Sequence, residues 1–285
     1  MRETELELLY QDEPESGVDR ETVRDGVLLY RTKTIRSGDM VECVCYPYTS
    51  HRQGSRAPRE HITREAQQRV NMRNARRRIL RKVQCNFSSR SIFVTLTYAQ
   101  APAEEEAGKE LDRYLARLRC AAKRQGQKLK YVAVTEISST GRVHHHILAE
   151  GIDRATAEGK WKKGFINSRQ YQANPSGFTG LVAYMLKKDS TVRGSNDVEE
   201  EVRNKRIRCS KGLIGPRETV SDHKISRHRM EIIAAEAEDR GREIFEKLYP
   251  GFRMRERPRV KRSEWYPGAY VYAVLWRDGA RPLVS

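Results

Sequence analysis

Apolar and polar positions follow two periods along this chain, and the switches between them predict its elements. Ile92-Phe93-Val94-Thr95-Leu96-Thr97-Tyr98 and Tyr131-Val132-Ala133-Val134-Thr135-Glu136 are short runs rich in β-branched and aromatic residues, and both predict strands. Val143-His144-His145-His146-Ile147-Leu148 predicts a third. Ser138-Ser139-Thr140-Gly141 supplies turn-forming residues before it, so residues 131–149 read as a hairpin. Between the first two strands, Leu111, Tyr114, Leu115 and Leu118 recur at helical spacing and predict a helix over Ala103–Arg124. Its first turn holds Glu104, Glu105 and Glu106, where acids suit the helix dipole. Upstream, Met72, Ala75, Ile79 and Val83 give a helical stripe to residues 62–84. Gly26–Tyr30 and Met40–Tyr46 read as short strands, with Ser37-Gly38-Asp39 turning between them.

The C-terminal half continues the alternation of element types. Gly180–Lys188 predicts a helix opened after Asn174-Pro175-Ser176-Gly177. A longer helix is expected over Arg229–Lys247, and Tyr270–Leu275 reads as a closing strand. The order strand, helix, two strands, helix, with a hairpin in the middle, implies an α+β fold in which helices pack on an antiparallel sheet. The pattern divides the chain into N-terminal strands and a loop (1–60), a core (61–225), and a C-terminal elaboration of helix and strand (226–285).

Composition narrows the partners. Of 285 residues, 55 are Lys or Arg against 38 Asp or Glu, a net charge of +17 that makes a polyanion the default partner. No apolar run approaches the roughly 18 residues of a membrane span, and the acidic Met1-Arg2-Glu3-Thr4-Glu5 start lacks a signal-peptide core. The expectation is a cytoplasmic protein with no membrane partner. The five cysteines are scattered without a CxxC pair, so they signal neither a disulfide framework nor a zinc knuckle. The cations concentrate on the 62–84 helix, where Arg69, Arg73, Arg76, Arg77, Arg78, Arg81 and Lys82 follow Glu65 with no further acid. A charge run is ordinarily a solvated face. One without sign mixing favours phosphate contact, with Arg73, Arg76, Arg77, Arg81 and Lys82 as the nucleic-acid-binding candidates.

The chemistry concentrates in the third strand. Side chains alternate across a strand, so His144 and His146 share one face while His145 points to the other. Two imidazoles on one side are half of a divalent-metal site. The hairpin brings Glu136 towards them as an oxygen ligand. Hydrogen-bonded histidines without a metal satisfy the same pattern, and a one-residue register shift would put His145 in the cluster instead. On the next helix, Tyr184 shares a face with Lys187 and Lys188. A tyrosine, with an ordinary pKa of about 10, becomes a nucleophile when a cation and a polarised phosphate lie beside it. Packed Tyr with solvated Lys is the structural alternative.

Taken together, three motifs resemble those of the HUH-superfamily replication initiators, the single-strand endonucleases of rolling-circle plasmids and phages. Ile92–Tyr98 is similar to the family's F-x-T-L-T-Y strand, His144-His145-His146 to its paired-histidine motif, and Tyr184-Met185-Leu186-Lys187 to its nucleophile-and-lysine motif. Gln68-Arg69-Val70-Asn71 and Cys209-Ser210-Lys211-Gly212-Leu213 resemble flanking segments of the bacterial and phage branch, so the likeness spans about residues 65 to 220. The chain departs at His145, where the family carries a bulky hydrophobic residue, and at Gly180, where two-tyrosine members carry a second tyrosine.

The resemblance implies a specific chemistry. A five-stranded antiparallel sheet would carry the histidine strand at its centre. Glu136, His144 and His146 would hold one Mn²⁺ or Mg²⁺. Tyr184 would attack single-stranded DNA at an origin hairpin and keep the 5′-phosphate, with Lys187 stabilising charge and Lys188 behind it. A host polymerase would extend the 3′-hydroxyl. With no Walker loop in the sequence, helicase activity would come from a host partner in the bacterial cytoplasm. Two other readings remain open from sequence: a conjugative relaxase or single-strand transposase with the same chemistry, and a non-catalytic nucleic-acid-binding protein.

Overall fold

The computed structural model of the chain describes residues 28–49, 64–138, 141–172, 176–186, 207–262 and 268–279. The first half runs β1 (Leu28–Ser37), β2 (Met40–Thr49), α1 (Arg64–Asn86), β3 (Ile92–Thr97), α2 (Glu104–Arg124), β4 (Lys130–Ile137) and β5 (Val143–Glu150). The second half runs α3 (Arg154–Gly159), β6 (Ile166–Gln170), α4 (Thr179–Met185), β7 (Ile207–Cys209), β8 (Arg217–Ser221) and α5 (Arg227–Ala235). It closes with a π-turn (Ala237–Gly241), α6 (Arg242–Leu248), β9 (Phe252–Met254), β10 (Arg259–Arg262) and β11 (Ala269–Arg277). The fold is α+β with antiparallel strand pairing in every register, as the sequence pattern implied.

The chain forms two compact units. One is Lys82–Ile214, and the other is discontinuous, joining Met1–Arg81 to Gly215–Arg281. The continuous unit carries a five-stranded sheet in the order β6-β3-β5-β4-β7, which puts the histidine strand β5 at its centre. Alternation sorts its side chains onto two faces. Ile92, Val94 and Leu96 of β3, Tyr131 and Ala133 of β4, and Ile147 and Ala149 of β5 form one core with Leu111, Tyr114, Leu115 and Leu118 of α2. Each of these buried aliphatic side chains contributes about 1.5–3 kcal/mol by leaving water, which holds α2 against that face. The other face carries Phe93, Thr95, Thr97, Glu136, His144 and His146, and α4 lies over it through Tyr184.

In the discontinuous unit, β10-β11-β2-β1-β8 form a sheet with β9 added against β11. Met40–Thr49 pairs with Ala269–Arg277 at Cys45↔Val271 and Val41↔Leu275, so the two ends of the chain share one sheet. Its core unites Tyr30, Val41, Cys43, Cys45, Val271 and Leu275 with Met230, Ile233 and Phe245 from the helices. The cysteines are free, and Cys43 and Cys45 are buried in that core. The single helix expected over Arg229–Lys247 is interrupted. Glu236 adopts φ −127°, ψ 57°, ending α5, and the chain re-enters a helix only after the π-turn. Gly241 closes that turn because a Cβ there would stand 3.2 Å from the Glu236 carbonyl oxygen.

The cationic helix α1 needs a correction at Arg81. Its guanidinium forms a two-pronged pair with Glu42, at 2.6 Å and 2.9 Å, and the Glu42 side chain is fully buried. Tyr272 donates a further hydrogen bond of 2.8 Å to the same carboxylate. The neutralising acid comes from β2, far back in sequence, so counting charges along the helix cannot find it. Arg81 is therefore a structural cation rather than a phosphate contact. Arg73 is buried as well, and Arg76 is half-buried, with its pKa lowered by burial. Arg77 and Lys82 are half-exposed, and Arg78 is exposed.

Candidate active site on the histidine face of the central sheet

The hairpin sets the register. Residues Ile137 and Val143 face each other across β4 and β5, closed by Gly141 at φ 74° and by a hydrogen bond from the Ser138 amide to the Arg142 carbonyl. This pairs Glu136 with His144 and Val134 with His146. The Glu136 carboxylate reaches diagonally to His146, with Oε2 2.7 Å from Nε2. His146 is nearly buried, while Glu136 is partly open to solvent.

Both histidines are braced from β3. The Thr95 hydroxyl lies 3.3 Å from His146 Nδ1, and the Thr97 hydroxyl lies 3.2 Å from His144 Nδ1. The register Thr95↔His146 and Thr97↔His144 produces these contacts directly, since paired residues on adjacent strands share a face. A hydroxyl both donates and accepts, so each threonine holds either imidazole tautomer. Hydrogen bonding at Nδ1 orients the ring and leaves Nε2 as the nitrogen turned away from β3, an arrangement typical of ligating histidines. These threonines are the functional residues that sequence reasoning missed. The signal was present: Thr95 and Thr97 stand two apart in the strand that motif matching had already singled out.

His145 faces α2, as alternation requires. It is fully buried, with Thr135 Oγ1 2.9 Å from Nδ1 and the Tyr98 hydroxyl 2.9 Å from Nε2. Tyr98 also donates to the Ala107 carbonyl at 3.2 Å. Burial is the main cause that lowers the His145 pKa to about 4, with the positive charge of Arg208 adding to it. A neutral imidazole here replaces the apolar residue of the resembling motif, and its polar atoms are satisfied inside the core.

Tyr184 lies over the opposite face. Its ring centroid is 5.2 Å from His146 and 6.1 Å from Phe93, and Phe93 stacks on His146 at 5.8 Å with an 8° interplanar angle. At 52% exposure the tyrosine keeps a solvent-facing edge, unlike the packed residues of its own helix, Leu181, Val182 and Met185. The nearest upstream tyrosine is different. Tyr171 is buried, stacked on Phe178 at 4.1 Å, and its hydroxyl donates to the Gly177 carbonyl at 2.5 Å. Lys187 and Lys188 lie outside the described residues.

The structure thus brings Glu136, His144, His146 and Tyr184 to one face, with Glu136 and His146 in direct contact. As placed, His144 turns to Thr97, and among the described residues no three His, Cys, Asp or Glu side chains gather as a metal-binding group. The donor chemistry nevertheless fits a divalent cation: two imidazoles braced through Nδ1 and one solvent-accessible carboxylate supply mixed nitrogen and oxygen ligands. Arg73, Arg76, Arg77 and Arg81 belong to the discontinuous unit, and Lys82 to the continuous one.

Comparison with known families gives one match. Residues 91–189 match a family of replication-associated proteins, described by its ORF2 members, and the span runs from β3 through α4 and contains every residue of the histidine face named above. The match points to a role in DNA replication. No curated protein and no solved structure matches the chain.

Proposed function

We propose that the chain is a rolling-circle replication initiator that nicks single-stranded DNA at an origin hairpin through Tyr184 and rejoins the strands. The observation that carries this reading is a half-exposed tyrosine 5.2 Å from His146, on the face that holds Glu136 and His144, within a segment similar to a replication-associated family. Tyr184 attacks the scissile phosphorus in line. A bond forms from the phenolic oxygen to phosphorus as the bond to the 3′-oxygen breaks. The phenolic proton is lost, and the leaving 3′-oxygen gains one to become a hydroxyl. The 5′-phosphate stays on the protein as a phosphotyrosine diester. Because one diester replaces another, rejoining needs no nucleotide cofactor.

Glu136, His144 and His146 would hold Mn²⁺ or Mg²⁺, which when bound supplies Lewis-acid polarisation of the phosphate oxygens. Thr95 and Thr97 fix the two imidazole rings, and the edge-on contact with His146 holds the Tyr184 ring over the same face. Lys187 is assigned the developing negative charge, with Lys188 behind it. The freed 3′-hydroxyl is a primer for a host polymerase, with duplex opening left to a host helicase in the bacterial cytoplasm.

The test is incubation of the protein with single strands from candidate origins and Mn²⁺, followed by a denaturing gel. A protein–DNA species is expected. Tyr184→Phe removes one oxygen and almost no volume, so it should keep the fold and DNA binding, lose the adduct, and cleave only at background. Cleavage without any adduct would identify a water-using nuclease and overturn the proposal.

A further inference from the structure

Strand β6 is an edge strand, and it carries an unassigned exposed row on the same face as the histidines. The register Leu96↔Ile166, Thr95↔Asn167 and Phe93↔Arg169 puts Asn167 and Arg169 on the histidine side, while Ile166 packs against the α2 core and Ser168 is buried. The row extends one step further, because the Thr97 amide donates to the Phe165 carbonyl at 2.9 Å and sets Phe165 beside Thr97. Phe165 is 76% exposed, which for a phenylalanine on a packed domain calls for an explanation. Its backbone is held in place. The Ala99 amide bonds the Lys163 carbonyl at 2.9 Å, and Gly164, at φ 156°, approaches so closely that a Cβ would overlap the Thr97 carbonyl oxygen. An apolar ring is thus presented to solvent on a rigid backbone, level with His144.

Arg169, at the other end of the row, is exposed and lies 5.3 Å above the Phe93 ring, the ring against which both Tyr184 and His146 pack. Among the described residues it makes no ion pair. Lys162 beside Phe165 is exposed too, whereas Lys163 is drawn to Glu110 at 3.4 Å. Aromatic, amide and guanidinium therefore recur at every second residue over about 13 Å, parallel to the histidine row and about 10 Å from it. Single-stranded nucleic acid is bound by this combination of a stacking ring and cations along the backbone.

We infer that Phe165, Asn167 and Arg169 form the track that seats the single strand beside Tyr184, with Phe165 stacking a base and Arg169 holding a phosphate. The inference rests on the proposed nicking reaction for the identity of the strand. Charge complementarity favours nucleic acid over a second copy of this strongly cationic chain pairing with the edge of β6.

Fluorescence anisotropy with a labelled single-stranded oligonucleotide across a salt series, on the full chain, tests it. Phe165→Ala should weaken binding about tenfold with little change in salt slope, and Phe165→Trp should restore it. Arg169→Gln should weaken binding and flatten the slope of log K against log salt by about 0.7. Two variants that bind like the parent would overturn the track. So would an oligomer in sedimentation that Phe165→Ala dissolves while DNA affinity stays unchanged, because the row would then be a self-association edge. The adduct assay on the unsubstituted protein separates the two claims. An adduct with unaffected variants leaves the nicking reaction standing and the track refuted. Impaired variants without an adduct leave the track standing and the nicking reaction refuted.

Discussion

Three adjacent histidines have three different environments, and alternation decides which is which. His145 is locked among Tyr98, Thr135 and the α2 core, and burial keeps it neutral. Its folded pKa of about 4 lies below the ordinary histidine value, so between those pH values the unfolded chain binds a proton that the folded chain does not. Stability is full above about pH 6.5, falls as pH drops towards 4, and levels off below that, with a total loss of up to about 3 kcal/mol. Chemical denaturation across this range should show the fall, and His145→Leu should flatten it while costing stability through the lost hydrogen bonds. An unchanged pH profile in His145→Leu would place the titrating group elsewhere. Thr95 gives a second expectation at this scale. Thr95→Val keeps the shape but frees His146 Nδ1, and loss of such a brace typically lowers metal affinity 10–100-fold. Calorimetric titration with Mn²⁺ reads this without any turnover, and unchanged affinity would reduce the threonine to packing. The histidine and glutamate positions were legible because strand period and hairpin register are local properties. The diagonal reach of Glu136 to His146 rather than His144 was not, since it depends on rotamers that the sequence pattern does not encode.

At the level of elements, strong periodicity was readable and weak periodicity was not. Strand β3, helix α2 and the β4–β5 hairpin follow their predicted spans closely because each buries a regular apolar set. Strand β6, Ile-Asn-Ser-Arg-Gln, offers one apolar residue and reads as a polar connection; its strand form comes from pairing with β3. The cationic stripe of α1 misled in the opposite direction, since an acid on another element answers Arg81. Arg81→Ala would strand a buried carboxylate with only Tyr272 and the rest of its surroundings, and breaking such a pair costs about 3–5 kcal/mol. Thermal unfolding should therefore shift markedly, while the salt slope of DNA binding in the folded variant stays as it was. A flattened slope with unchanged stability would restore Arg81 as a phosphate contact.

At the scale of the whole molecule, the sheet that joins Met40–Thr49 to Ala269–Arg277 could not be read from pattern, because no local feature links strands at opposite ends of a chain. Division by position along the sequence separates segments that the fold unites. The net charge of +17 sets the class of partner but not the place of contact. That place rests on the histidine face, where the matched family segment, Tyr184 and the row on β6 coincide. Tyr184 as nucleophile is the central claim, and mapping the covalent adduct by peptide mass spectrometry tests it most directly. After reaction with a single-stranded origin oligonucleotide and nuclease trimming, a nucleotide mass is expected on the peptide containing Tyr184, and on no peptide of Tyr184→Phe. A nucleotide mass on Tyr171 or any other residue, or strand cleavage with no modified peptide, would contradict it.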